Sequence, residues 1–216
     1  MKRLGILILL LMISYTYTVA QDNLFTEGIV VYDVTLDPPQ NEEGLTQYKG
    51  TYTIMVKGNA IRKELLLENG FKDISLYNGD NNTAYALRTM GGKFYAIELD
   101  MKEIEEELNK RRGFTMLDGN GQMDILNNKA QKATITYKDG STCDLYYSGI
   151  WKPSELMFNY FPNIEVMPMS FVLSSAKNMN MYFKASSIKV KTIETAQFRI
   201  PKEYKIVTKD EYKQMR

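Results

Sequence analysis

Histidine is missing from all 216 residues, and cysteine occurs once, at Cys143. Without an imidazole, neither a Ser/His/Asp nor a Cys/His nucleophilic centre can be assembled, and the usual zinc sites lose their ligands. A lone thiol also excludes an intramolecular disulfide. Net charge is almost absent, +1 from 27 basic and 26 acidic residues. The chain therefore lacks the clustered positive field with which proteins hold a phosphate backbone, and no nucleic-acid partner is expected. The absence of histidine removes most common hydrolases as well, so the residues lead us to expect no catalytic centre, no cofactor and no metal site.

The N-terminus reads as a targeting segment. Met1-Lys2-Arg3 is a cationic start, Leu4 to Ile13 is apolar, and Thr18-Val19-Ala20 supplies small residues before Gln21. This is the plan of a cleaved signal peptide, residues 1–20, with cleavage after Ala20. The apolar stretch is shorter than the roughly 20 residues that span a bilayer, so a stable membrane anchor is not expected. Cys143 lies far from the cleavage point and cannot become a lipid-bearing first residue. The expected product is residues 21–216, one domain, periplasmic or secreted.

From Glu27 onward apolar residues recur with period two. Val30, Tyr32, Val34 and Leu36 form one such set, and Tyr48, Tyr52, Ile54 and Val56 another, after a turn region from Pro38-Pro39 to Gly44. Ile61 to Leu67, Phe71 to Tyr77, Thr83 to Arg88 and Lys93 to Leu99 continue the series between Gly/Asn/Asp breakers. Short alternating segments joined by tight turns predict an antiparallel meander. A helix follows. Asp100 can cap it while Glu103 reaches back, Met101, Ile104 and Leu108 share a face, Lys110-Arg111-Arg112 complement the C-terminal dipole, and Gly113 can end it.

After a Gly-rich connection, Ala130 to Tyr137 and Thr142 to Trp151 predict a hairpin around Asp139-Gly140. Ser154 can cap a short helix from Glu155 to about Tyr160, ahead of Pro162. Val166 to Ser174, Met179 to Ala185 and Ser187 to Glu194 read as three further strands. Thr208 and Glu211 form a capping box for a terminal helical turn.

This arrangement resembles the LolA-like superfamily, that of the periplasmic lipoprotein carrier, and in particular its secreted relatives. The resemblance rests on the exported start, the opening strand Gly28 to Thr35, the meander, the inserted helix, the later hairpin, and the closing Phe198-x-Ile200-Pro201-x-x-Tyr204. It implies an α+β fold: a strongly curved antiparallel sheet, an incomplete barrel, with one main helix and short helices over its concave face. It also implies an apolar space between sheet and helices. The family's lid-fastening arginine has two candidate counterparts, Arg62 and Arg88, both on strands of the right region.

Five of the methionines, Met157, Met167, Met169, Met179 and Met181, fall between residues 157 and 183, among Phe158, Tyr160, Phe161, Phe171, Tyr182 and Phe183. Methionine adapts to irregular apolar space, so this segment is the candidate wall of a binding site, and also an ordinary core. With the helix face, the candidate lining is Met101, Ile104, Leu108, Met157, Phe158, Phe161, Met167, Met169 and Phe171. Asp118-x-Asn120-x-Gln122-x-Asp124 alternates oxygen donors as a calcium loop does, but Met123 and Lys129 stand where Gly and a bidentate acid belong, so it reads as a polar turn. The glutamates from Glu103 to Glu107 read as a solvated face. Cys143 reads as a small buried hydrophobe, and Trp151 as the end of a strand. The expected function is carriage of a lipid, acyl chain or other apolar ligand. The alternative is a structural or interaction protein that docks an envelope partner through its curved sheet or rim, with its interior filled by side chains.

Overall fold

The computed structural model describes residues 23–37, 47–174 and 179–215. The targeting segment, the cleavage point after Ala20 and the Pro38 to Gly44 turn lie outside the described residues. Twelve strands among the described residues form one sheet. Six of them, β1 (Glu27–Asp37), β2 (Tyr48–Lys57), β3 (Ala60–Leu67), β4 (Lys72–Asn78), β5 (Thr83–Met90) and β6 (Lys93–Leu99), make a meander in chain order. Five more, β7 (Thr115–Ile125), β8 (Asn128–Thr136), β9 (Thr142–Ser148), β10 (Met167–Ser174) and β11 (Asn180–Val190), make a second. The two meanders join where β1 pairs with β11, and β12 (Lys205–Val207) adds a parallel edge beside β6. The sheet is curved and open, as the resemblance implied, with β7 and β12 at its edges.

Alternation decides which residues face inward. On β1, Val30, Tyr32 and Val34 are buried, and the same face receives Ile54, Ile61, Leu67 and Phe183 in the main core. Gly28 lets β1 approach β11 and the N-terminal segment closely. A Cβ there would stand 2.4 Å from the Lys189 carbonyl oxygen and 2.7 Å from the Phe25 ring. The helix α1 (Met101–Arg111) begins where Asp100 accepts from the Lys102 amide. Leu108 is 2% exposed, and Met101 and Ile104 pack against the core edge. Glu103 does not reach back to the cap. It pairs with Lys209 at the start of α2 (Lys209–Gln214), where Thr208 and Glu211 form the expected capping box.

Three expectations need correction. The Gly-rich connection is strand β7, an edge strand that pairs with β8 and slips register between Asp118 and Gln122, where the glycines accommodate a bulge. The calcium-like residues are therefore neither a loop nor a turn: Asp118 accepts from the Tyr147 hydroxyl, and Asp124 pairs with Lys129. The stretches from Met179 and from Ser187 are one strand, β11, interrupted by a register shift that leaves Ser186 outside the ladder with β1. The helix expected from Glu155 is only a 3-10 turn, Glu155–Met157, with no side-chain cap from Ser154.

The C-terminal segment wraps the sheet edge. Ile200 and Tyr204 pack on the outer face against Ile74, Leu76, Leu87 and Ala96. The chain then enters β12, and Tyr212 of α2 packs on the inner side with Tyr95 and Val207. The C-terminal segment thus clamps the end of the sheet from both faces, with the Phe198 to Tyr204 motif on the outer one.

A roofed cavity with a buried lysine

Tyr32 stands at the centre of the inner face. It is fully buried, its hydroxyl donates to the Pro168 carbonyl at 2.7 Å, and its ring meets those of Tyr52, Phe158, Phe171 and Phe183. Phe171 and Phe183 stack at 4.6 Å between centroids, and Phe158 and Phe161 approach Phe171 edge-on. Such edge and offset contacts fix ring positions as well as burying area. One side of this cluster stays unfilled.

There a cavity of about 380 Å³ opens. Its floor is Tyr52, Phe171 and Phe183, and Leu36, Leu173, Met179 and Met181 continue it along β1, β10 and the start of β11. Lys63, Asp73, Ser75 and Tyr77, inward-facing on β3 and β4, supply its polar side. The roof is the connection from β9 to β10, through Met157, Phe158, Asn159, Tyr160 and Phe161.

The sequence predicts the helix over this space, but the roof is the connection, and α1 braces it from outside. Arg112 pairs with Glu105 on its own helix and with Glu155 at the roof's start. The Arg111 guanidinium lies 4.5 Å from the Tyr160 ring centroid, and the Tyr137 hydroxyl donates to the Tyr160 carbonyl at 2.7 Å.

Of the candidate lining residues, Met157, Phe158, Phe161 and Phe171 border the cavity. Ile104 and Leu108 border a separate hollow of about 320 Å³ between α1 and the roof. Met101 packs at the core edge and Met167 is core. Met169 borders a third hollow, near Trp151 and Ile188. Trp151 itself is half-buried against Phe25.

The arginines do not fasten a helical lid. Arg62 faces outward, bonding Glu64 and the Gln197 carbonyl, and Arg88 pairs with Asp73. Burial pushes the Cys143 thiol up to about 11, and its sulfur contacts the Val172 carbonyl, so it is not poised as a thiolate. Among the described residues no three His, Cys, Asp or Glu side chains gather to hold a metal, and no helix is long and apolar enough to cross a membrane.

Lys63 escapes sequence reasoning. It is 5% exposed, its Nζ donates to Asn159 Oδ1 at 2.6 Å, and it lies 4.9 Å from the Tyr77 ring centroid. Removal from water, without compensating charge, holds its ammonium down at about 7. The signal is present in the strand pattern: Lys63 occupies the same inward face as Ile61, Leu65 and Leu67.

No protein-family model matches the sequence, and comparison with curated proteins returns no match. Several solved structures are similar to it, one at a TM-score above 0.5. An uncharacterized conserved protein from Thermus thermophilus is 13% identical, with 88% of this chain and 94% of that one covered, at a TM-score of 0.52. A LolA superfamily protein from Nitrosomonas europaea is also 13% identical, with 81% and 90% covered, at a TM-score of 0.38. PNGF-II is 14% identical at a TM-score of 0.44, and this chain, 87% covered, spans about a third, 32%, of its length. The open curved sheet with one main helix is the architecture implied by the resemblance to the LolA-like superfamily.

Proposed function

We propose that this protein is exported and carries an apolar ligand, without catalysis, in the cavity between the inner face of its sheet and the β9–β10 connection. The observation that carries this reading is the cavity itself. At about 380 Å³ it falls within the range of sites for small ligands, roughly 300–1,000 Å³, and aromatic rings and methionines dominate its floor and rim. The aromatic floor is rigid, whereas Met157, Met179 and Met181 can repack around chains of different length. Export is supported by the cationic and apolar start of the chain and the small residues before Gln21.

Native mass spectrometry with organic extraction, applied to protein recovered from expressing cells, tests both parts. The expected result is a chain that begins at Gln21 and holds one extractable apolar molecule. A cavity-filling variant gives the control. Ser75 lines the cavity from β4, and Ser75→Phe should keep the fold, by circular dichroism and thermal unfolding, while reducing binding of an apolar fluorescent probe at least tenfold. A folded wild type that yields no ligand and binds no probe contradicts the reading.

A further inference from the structure

Lys63 is the feature of the cavity that apolar carriage alone does not explain. Burying an ammonium among rings and methyls is costly unless an anion compensates it. Among the described residues no carboxylate lies within 4.0 Å of its Nζ. Among the described residues, the titratable groups that share the cavity with it are Tyr52 on β2, Asp73 and Tyr77 on β4, and Tyr160 in the roof. The only acid in this set, Asp73, is paired with Arg88. Asn159 gives Lys63 a neutral acceptor, and Tyr77 gives it the face of a ring. A polar end stands ready on one wall, and an aromatic and methionine floor runs away from it.

We infer that the ligand is a single-chain amphiphile with a monoanionic head, a fatty-acid carboxylate, which pairs with Lys63 Nζ while its chain lies over Tyr52, Phe171 and Phe183. Among the described residues one lysine and no arginine line the cavity, which matches one negative charge and leaves a phosphate dianion undercompensated. This pairing rests on the carrier reading and extends it to the class of ligand.

The pairing couples binding to a proton. Without ligand the ammonium is half deprotonated near pH 7, and a carboxylate beside it restores the charged form. Above pH 7, binding must therefore take up a proton, and affinity should fall up to about tenfold per pH unit. Below pH 7 it should be flat until the carboxylate itself protonates.

Titration of the purified chain with dodecanoate and with dodecanol, both below micellar concentration, from pH 6 to 9, tests this. The expected result is that dodecanoate binds at least tenfold tighter at pH 6.5, that its advantage declines above pH 7, and that dodecanol shows no such slope. Lys63→Met should bring the two ligands to equal affinity. Should that variant fail to fold, calorimetry of the wild type in buffers of different ionisation enthalpy reads the proton uptake directly. If dodecanol binds and dodecanoate binds no better, or if Lys63→Met keeps the difference, the pairing is overturned and the carrier reading stands. If neither ligand binds the folded wild type, both are overturned.

Discussion

Lys63 occupies an inward position on a strand whose neighbours on that face are Ile61, Leu65 and Leu67. Its burial has a consequence for stability that is separate from any ligand. The ammonium titrates at about 7 in the folded chain, against an ordinary 10.5. Between those values the unfolded chain binds more protons, so stability rises with pH across the window, and the penalty is complete below about pH 7. Lys63→Met should therefore raise stability at pH 6 by on the order of a few kcal/mol, and should flatten the rise between pH 7 and 9. Urea unfolding at both pH values measures this; a variant weaker than the wild type at pH 6 contradicts it. Above that range the buried Tyr32 and the half-buried Tyr52, both held up by removal from water, oppose ionisation and reverse the trend. At this scale the sequence was partly legible. Period two marks Lys63 as inward, but a lysine on a strand face is read as solvated until the roof residue Asn159, 96 positions later, is seen beside it. The burial of Cys143 was legible because a small thiol alternates with Asp144 and Tyr146 on a half-buried strand.

Among elements, the first meander and α1 were legible because their signals are local: alternation, tight turns, a cap and a closing glycine. What failed locally depended on distant partners. β7 is polar and glycine-bearing, and only its ladder with β8 makes it a strand. β11 looked divided because its bulge at Ser186 breaks the alternation while pairing with β1 continues on both sides. The segment after Ser154 lacks a side-chain cap and is held as a 3-10 turn and roof by packing of Met157, Phe158 and Phe161 on the sheet. The closing motif gains its physical meaning only in three dimensions, where Tyr204 covers the outer face of β4 to β6 and packs at a tilt against Phe94, 5.3 Å between centroids. Tyr204→Ala removes a partly buried ring and should cost about 1–2 kcal/mol. Because Ile206 and Val207 follow directly into β12, hydrogen exchange should quicken in β12 and β6 before it does in β1. Uniform loss of protection across the sheet would show that the clamp is not a separate unit.

For the whole molecule, the curved sheet and its roof together bound the cavity. Phe158 and Phe161 close onto Phe171, and Leu36, Tyr52 and Lys63 line the space left beside them. The antiparallel meanders were legible in the order and spacing of the strands, and the open curved sheet through the resemblance to the LolA-like superfamily. The position of the cavity was not, because it depends on which segment roofs the sheet, and the apolar face of α1 was as plausible a roof as the aromatic segment from Met157. Several of the soft residues from Met157 to Phe183 do gather at one place, while Met167 and Met169 serve the core beside it. The most direct test is a crystal structure of the protein with ω-bromododecanoate, in which anomalous scattering locates the bromine. Bromine density beneath the β9–β10 connection, at the Leu36 and Met181 end of the cavity, with the carboxylate beside Lys63, is the predicted result. Bromine elsewhere, or a closed interior in which Phe158 and Phe161 occupy that space, would contradict it.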